Sequence, residues 1–269
     1  MGNCQEDIIS QAKFRDPEKN YWMAEGEWRT SQEPIGLGAS YKSMIFQEIY
    51  LYPDLGEFED QIVHPFRDQS RFVCNYLERN LREMKFRSQG FRRLCVVGTK
   101  FPGEECRLNT SGVLRVEVGL TEGDYVAKTE QELPEFFISL LSSGFEKCQK
   151  QFDIPTKELL SGLAQFRLGG YRNEWTHKSR FFRSAGLKCS LHCKLTMRDF
   201  VLKLSIQRGS SVVFEEKILT TVPDEIVFGP KFKGIKLEDD AIIVTNKLDK
   251  AIFKMNVVDI FREGSGPNA

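Results

Sequence analysis

FVLKLSIQ, residues 200–207, alternates between apolar side chains on one face of a two-residue period and a mostly polar set on the other. AIFKMNVV, residues 251–258, repeats this alternation. The pattern indicates strands with one buried face, as in an antiparallel sheet. Turn-forming residues separate the apolar segments, as at Pro223-Asp224. Residues 187–258 are therefore predicted to form an antiparallel β-meander, and the rest of the chain must cover its apolar face.

The preceding part of the chain mixes helical and strand periodicities. Apolar spacing predicts a long amphipathic helix at residues 66–85 and two more at 131–152 and 155–168. Residues 172–185 are predicted to be a polar connector. Because the last strands follow one another without helices between them, the fold class is predicted to be α+β. An N-terminal mixed α/β part with two or three main helices precedes the antiparallel β-meander. Further strands are predicted at residues 43–52, 91–98 and 112–120, with a short helix at 55–63.

This order predicts two domains. Residues 1–172 form an α+β domain whose first 42 residues are an irregular lead-in, and residues 173–262 form an antiparallel β domain. Residues 263–269 are predicted to be a disordered tail.

Composition limits the possible partners. Lys plus Arg and Asp plus Glu each total 38, so no net charge attracts the whole molecule to nucleic acid or to a membrane. The 7 cysteines are an odd number, and most lie in apolar runs, which is typical of reduced, buried thiols. The N-terminus lacks a secretory signal pattern, and no apolar run is long enough to span a bilayer. We therefore expect a cytoplasmic protein without a membrane partner.

The most metal-like cluster is CSLHC, from Cys189 to Cys193. Zinc requires thiolates and imidazole converging on one point. On a strand, however, Cys189 and Cys193 face one side while His192 faces the other. The sequence therefore predicts no metal site and no cofactor here.

Catalytic motifs give little support to an enzyme. The chain has 3 histidines and neither a Gly-x-Ser-x-Gly elbow nor a His-Glu-x-x-His pair. No catalytic residue is assigned from the sequence. An enzyme with a dispersed active site, in a cleft between the helical layer and the C-terminal sheet, remains an alternative. His177 and Arg180, in the segment predicted as a connector, are its candidate participants.

Charge is distributed unevenly along the chain. Residues 67–93 carry eight basic and three acidic side chains, and residues 167–188 are basic again. Interleaved aromatics such as Phe86 and Trp175 are typical of a nucleic-acid surface. A basic helix face is more often only solvated, so a nucleic-acid-binding module is a further alternative and nucleic acid is not the expected partner.

The opposite bias occurs at residues 117–135, where acidic side chains dominate. Carboxylates near a helix N-terminus stabilise the helix, so part of this bias is capping. The same residues could dock a basic partner. The candidate partner-binding residues are Glu122, Asp124, Glu130 and Glu132.

The general build and two stretches, QIVHPFRD (residues 61–68) and residues 228–244, resemble a bacterial family. These are the immunity proteins of polymorphic-toxin and contact-dependent-inhibition systems. The resemblance implies a cytosolic protein that binds its cognate protein toxin tightly and blocks the toxin's active site. Neither stretch is a diagnostic motif, so no functional residue is carried over from the family.

Overall fold

The computed structural model describes residues 28–30 and 43–263. The predicted irregular lead-in, apart from residues 28–30, and the predicted tail, apart from Glu263 at the end of the last helix, lie outside the described residues. Among the helices of the described part, none combines the length and apolarity needed to cross a membrane.

The N-terminal part begins with strands and contains the longest helices. Its elements are β1 (Trp28–Thr30), β2 (Met44–Ile45), β3 (Glu48–Pro53), α1 (Asp60–Met84), β4 (Arg87–Ser88), β5 (Arg93–Thr99), β6 (Arg107–Asn109), β7 (Val113–Gly119), α2 (Glu122–Val126), α3 (Leu133–Cys148) and α4 (Thr156–Leu168).

The C-terminal part consists mainly of strands. Its elements are β8 (Asn173–Phe182), β9 (Leu187–Leu195), β10 (Phe200–Arg208), β11 (Ser211–Thr221), α5 (Glu225–Phe228), β12 (Gly234–Glu238), β13 (Ala241–Thr245), β14 (Ala251–Asn256) and α6 (Val257–Glu263). The α+β class and the antiparallel C-terminal part are thus confirmed.

The N-terminal sheet has the strand order β1-β6-β7-β5-β3, in which β3, β5 and β7 are parallel. Helix α3 packs against β5 so closely that a Cβ added to Gly144 would lie 2.8 Å from both methyl groups of Val96. Helix α1 buries an apolar stripe that includes Phe66, Val73 and Leu77. This stripe holds the helix against the sheet.

Helix α1 is longer than the sequence predicts. The pattern indicated a short helix before Pro65 and a restart after it, but one helix runs from Asp60 with Pro65 inside it. A proline in the second turn removes only one hydrogen bond near the end of the helix. Burial of Ile62 and Phe66 on either side of it stabilises the continuous helix.

The predicted connector at residues 172–185 is wrong, because most of it is strand β8. Nearly all the side chains from Glu174 to Phe181 are exposed, and β8 is an edge strand of the sheet β11-β10-β9-β8. A strand exposed on both faces has no apolar alternation, so its sequence resembles a loop.

The C-terminal strands form two sheets instead of one meander. The second sheet, β12-β13-β14, packs against the inner face of the first. Phe200 of β10 stacks on Phe228 with ring centroids 3.9 Å apart, and Phe232 lies 5.3 Å from Phe200 on the same core. The alternating apolar face of residues 200–207 is therefore the centre of this core.

Candidate functional site

A groove of about 1200 Å³ crosses the outer face of the sheet β8–β11. At one end it reaches the helical layer, where Glu130 and Pro134 line it. The alternative enzyme hypothesis placed its active site between the helical layer and the C-terminal sheet, but its candidate residues His177 and Arg180 do not line this groove. We call it the sheet groove.

The floor of the sheet groove follows from strand register. Thr176, His192, Lys203 and Lys217 lie on four successive strands, with Thr176 paired to His192, His192 to Lys203, and Lys203 to Lys217. The alternation that buries Leu202 and Leu204 in the core presents this polar row to solvent. Four hydrogen-bonded strands thus hold the row in place.

Charged side chains of both signs project into the sheet groove. Lys203 pairs with Glu215 at 3.0 Å, and Lys194 pairs with Glu174 at 3.5 Å. Arg198 in the β9–β10 turn pairs with Glu130 across the mouth. Among the charged lining residues that the structure describes, Arg172, Asp199 and Lys217 have no ion pair.

The turn that carries Arg198 is fixed by its own hydrogen bonds. The Thr196 hydroxyl donates to the Asp199 carboxylate at 2.7 Å, and the Thr196 backbone N–H donates to the Asp199 carbonyl at 2.9 Å. The mouth of the sheet groove therefore has a defined shape.

The cysteine–histidine cluster divides across the sheet, as the two-residue period predicts. Cys189 and Cys193 are buried, and burial raises the pKa of each thiol to about 12. His192 faces the groove, where its Nδ1 lies 3.1 Å from the Thr176 hydroxyl. Within the described part of the chain, no group of three His, Cys, Asp or Glu side chains is placed to hold a metal ion.

Two of the four acidic candidates have local roles. Asp124 forms a capping box with Thr121 at the start of α2, and hydrogen bonds from the Thr121 side chain and backbone lower the pKa of Asp124. Glu132 accepts from the Thr129 backbone N–H at 2.8 Å and from its hydroxyl at 2.7 Å, which lowers the pKa of Glu132. Both carboxylates cap chain turns.

The other two acidic candidates differ in position. Glu130 lines the sheet groove, whereas Glu122 is exposed in the first turn of α2 and is not part of the groove lining. Of the four acidic candidates, two therefore cap chain turns, one lines the sheet groove and one is solvated.

His177 and Arg180 lie at a seam between the two C-terminal sheets. His177 Nε2 is 3.3 Å from the Lys233 carbonyl, and Arg180 Nη1 donates to the Ile235 carbonyl at 3.4 Å. The His177 ring also packs edge-on against Phe232, with centroids 4.8 Å apart. These side chains join β8 to β12 and do not line the groove. The groove instead contains His192, which the two-residue period predicts to face away from Cys189 and Cys193.

A buried charged cluster on α1 has the composition of an active site. Arg71 is 3% exposed and Glu78 is 2% exposed, and Arg71 Nη2 donates to Glu78 Oε1 at 3.1 Å. Burial raises the pKa of Glu78 to about 7, although Arg71 opposes this effect. A carboxyl with such a pKa could exchange protons at neutral pH.

The contacts of this cluster show that it completes the N-terminal sheet. Strand β3 is an edge strand, and its outward backbone groups face α1. Arg71 Nη1 donates to the Ile49 carbonyl at 2.7 Å, and Glu78 Oε1 accepts from the Ile49 N–H at 2.9 Å. Ser70 donates to the Leu51 carbonyl at 2.7 Å. The polar side chains of α1 thus occupy the place of a neighbouring strand.

A polar stripe on α1 also holds the C-terminal part. Asn173 at the start of β8 donates to the Phe72 carbonyl at 2.7 Å and to Asn75 Oδ1 at 3.1 Å. Arg79 Nη2 donates to Asn173 Oδ1 at 2.6 Å and lies over the Trp175 ring at 4.7 Å. Sequence reasoning missed this stripe. Its signal is the spacing of Arg71, Asn75 and Glu78 along one side of an otherwise buried helix face.

The same contacts change the interpretation of the basic segment at residues 67–93. Arg71 and Arg79 turn towards the protein, and Arg93 pairs with Glu48 at 2.6 Å. Several cations that a nucleic-acid surface would need are therefore engaged inside the fold.

Comparison with known proteins finds no matching family model, no matching curated sequence and no matching solved structure.

Proposed function

We propose that this chain is a bacterial cytosolic binding protein that neutralises a protein toxin by tight association, and that the sheet groove receives a segment of that toxin. The observation that carries the proposal is the groove itself, a rigid polar floor with side chains of both charges around it. Its volume of about 1200 Å³ exceeds the range usual for small-molecule pockets, roughly 300–1,000 Å³. A chain segment with charged side chains fits it better than a small ligand.

The ion pairs in the groove suit exchange with a partner. Lys203–Glu215 and Lys194–Glu174 are substantially exposed, so each pair adds little to the stability of the free protein. A partner's carboxylate or ammonium group can replace one member of a pair without leaving a buried charge. Charges matched in this way speed association and determine specificity.

Apolar contacts in the groove would supply affinity. Trp175, Met197 and Val201 line it and are partly exposed. A few such side chains, surrounded by polar groups, are typical of the energetic centre of an interface. The six described cysteines are all free thiols, which agrees with a reducing compartment.

We expect the gene directly upstream of this chain to encode the toxin, and the test uses the toxin domain of that gene product. Co-expression should restore growth of cells that produce the toxin domain, and titration calorimetry of the purified pair should show a tight one-to-one complex. The double variant Lys203→Glu, Lys217→Glu reverses charge on the groove floor and should weaken binding by at least about tenfold.

Lys254→Glu is the matched control, because Lys254 is exposed on β14 of the other sheet. It should bind like the wild type, and circular dichroism should show all variants folded. If co-expression of this chain does not restore growth, the neutralising function is contradicted. If the double variant binds the toxin domain as tightly as the wild type does, the interface lies away from the groove.

A further inference from the structure

The sheet groove carries more positive than negative charge. Its lining has four carboxylates and five lysine and arginine side chains, the latter being Arg172, Lys194, Arg198, Lys203 and Lys217. Three of the carboxylates form ion pairs with Lys194, Arg198 and Lys203. The fourth, Asp199, accepts from the Thr196 hydroxyl at 2.7 Å within its own turn. In the part of the chain that the structure describes, Arg172 and Lys217 therefore remain without a carboxylate partner.

A β-bulge places one of these free cations beside another cation. Leu202 of β10 pairs with Leu219 of β11, but the next residue of β10, Lys203, pairs with Lys217. The register thus skips Ile218, which would otherwise lie opposite Lys203. Bulges often redirect a side chain next to a functional site, and like charges directly opposite each other destabilise a sheet. An anion bound between the two ammonium groups would relieve this repulsion.

The other lining side chains favour an acidic peptide over nucleic acid. The carboxylates of Glu174 and Glu215 also line the groove, and they would repel a polyanion that carries one charge per nucleotide. Trp175, Met197 and Val201 offer partly exposed apolar surface between the charges. A peptide can place separate carboxylates at the free cations and apolar side chains between them, so it can avoid the groove carboxylates.

We propose that the toxin segment received by the sheet groove is acidic, with one carboxylate between Lys203 and Lys217 and a second at Arg172. This inference rests on the proposed function and adds the chemistry of the partner. Lys217 belongs to β11 and Arg172 directly precedes β8, so three inter-strand steps of about 4.8 Å, roughly 14 Å in all, separate them across the sheet. An extended chain that rises about 3.3 Å per residue covers this distance in four to five residues. The two acidic residues of the segment are therefore separated by at least that much chain, with apolar residues between them.

The sign of the partner's charge is tested in the complex with the toxin domain. Arg172→Gln and Lys217→Gln each remove a free cation and should weaken binding about two- to fivefold, as for an exposed ion pair. Glu174→Gln removes a groove carboxylate and leaves Lys194 unpaired, so it should bind as tightly as the wild type or more tightly. Lys254→Gln, on the exposed side of β14, is the matched control and should change nothing. Titration calorimetry measures the affinities, and circular dichroism checks the fold. Weaker binding by Glu174→Gln together with unchanged binding by Lys217→Gln would indicate a basic segment and overturn the proposal.

A second experiment needs no toxin, so it separates failure of this inference from failure of the neutralising function. The isotope-labelled full-length chain is titrated with a blocked pentapeptide that has glutamate at both ends and valine and serine between them. A matched peptide has lysine at both ends. The acidic peptide should shift the amide resonances of His192, Lys203 and Lys217 in the NMR spectrum, and Lys217→Gln should reduce these shifts. The lysine peptide should leave them unchanged.

Three results of this titration would overturn the acidic assignment. These are equal or larger shifts with the lysine peptide, no shift with either peptide, and tighter binding of a single-stranded oligonucleotide at the same resonances. The co-expression experiment decides the neutralising function separately, because growth is restored or not whatever the charge of the bound segment.

Discussion

Arg71 of α1 holds Glu225 of α5 through two parallel hydrogen bonds, Nε to Oε2 at 2.8 Å and Nη2 to Oε1 at 2.6 Å. The two residues are 154 positions apart in the sequence. Arg71 also completes the edge of β3 through the Ile49 carbonyl. One guanidinium thus joins the N-terminal sheet, the long helix and the C-terminal part, and this partly buried ion pair is one of the contacts that dock the two parts.

Removing this guanidinium should destabilise the fold strongly. Arg71→Ala leaves Glu78 buried without its main counterion and the Ile49 carbonyl without a donor. We expect the free energy of unfolding to fall by roughly 3–5 kcal/mol, as for other broken buried pairs. Urea unfolding measures the change. Arg167→Ala is the control, because Arg167 pairs with Glu135 on the surface, where the loss should be under about 1 kcal/mol. Equal losses in the two variants would contradict the assigned role of Arg71.

Glu78 should make stability depend on pH. Its folded pKa of about 7 lies above the ordinary value of 4.5, so the folded state binds this proton more tightly than the unfolded chain does. Stability contributed by this group therefore increases as the pH falls from about 7 to about 5. The free energy of unfolding of the wild type minus that of Glu78→Gln should rise by on the order of 2 kcal/mol over this range. Urea titrations at each pH provide the measurement. A difference that falls on acidification would mean that Arg71 keeps Glu78 ionised.

Close packing of α3 on β5 should make Gly144 intolerant of a side chain. A Cβ there would lie 2.8 Å from two methyl groups of Val96, which is fully buried. Although alanine favours a helix over glycine, overpacking should dominate, and Gly144→Ala should cost about 1–3 kcal/mol. Gly119→Ala is the control, since a Cβ at that position meets no atom within 4 Å. If thermal and urea unfolding show Gly144→Ala to be as stable as the wild type, this packing is contradicted.

The two acidic candidates that are not caps should behave differently towards the proposed toxin. Glu130→Ser removes a carboxylate from the mouth of the sheet groove, so association should slow and its salt dependence should weaken. Glu122→Ser changes a carboxylate outside the groove and should leave the association rate near the wild-type value. Stopped-flow kinetics at two salt concentrations measures both. A larger effect at Glu122 would favour a docking face on α2 and count against the groove.

Nucleic acid should bind only weakly. Because Arg71, Arg79 and Arg93 are engaged within the protein, the segment at residues 67–93 presents fewer cations than its composition suggests. We expect affinities no tighter than the non-specific range of roughly 10⁻⁴–10⁻⁶ M at physiological salt. Fluorescence anisotropy with labelled single- and double-stranded oligonucleotides is the measurement. A salt-resistant nanomolar complex would show that another surface binds phosphates.

The sequence by itself determined the elements whose periodicity is local. Residues 200–207 show a two-residue period because β10 has one face in the core, and the same period separates His192 from Cys189 and Cys193. Helices α3 and α4 follow from apolar stripes, and the α+β class follows from the order of elements. Each of these features depends on side chains within a few residues of one another, so the local residue pattern is enough to predict it.

Only the tertiary structure decided which surfaces meet. Strand β8 has exposed side chains along most of its length, so its hydrogen bonds to β9, and not its composition, make it a strand. The capping of β3 by α1 and the Arg71–Glu225 pair join residues far apart in the sequence. The sheet groove exists because register aligns four strands beside the start of α3. The spacing of Arg71, Asn75 and Glu78 marks a polar side of α1, but the partners of these side chains are set by burial and geometry across the whole fold.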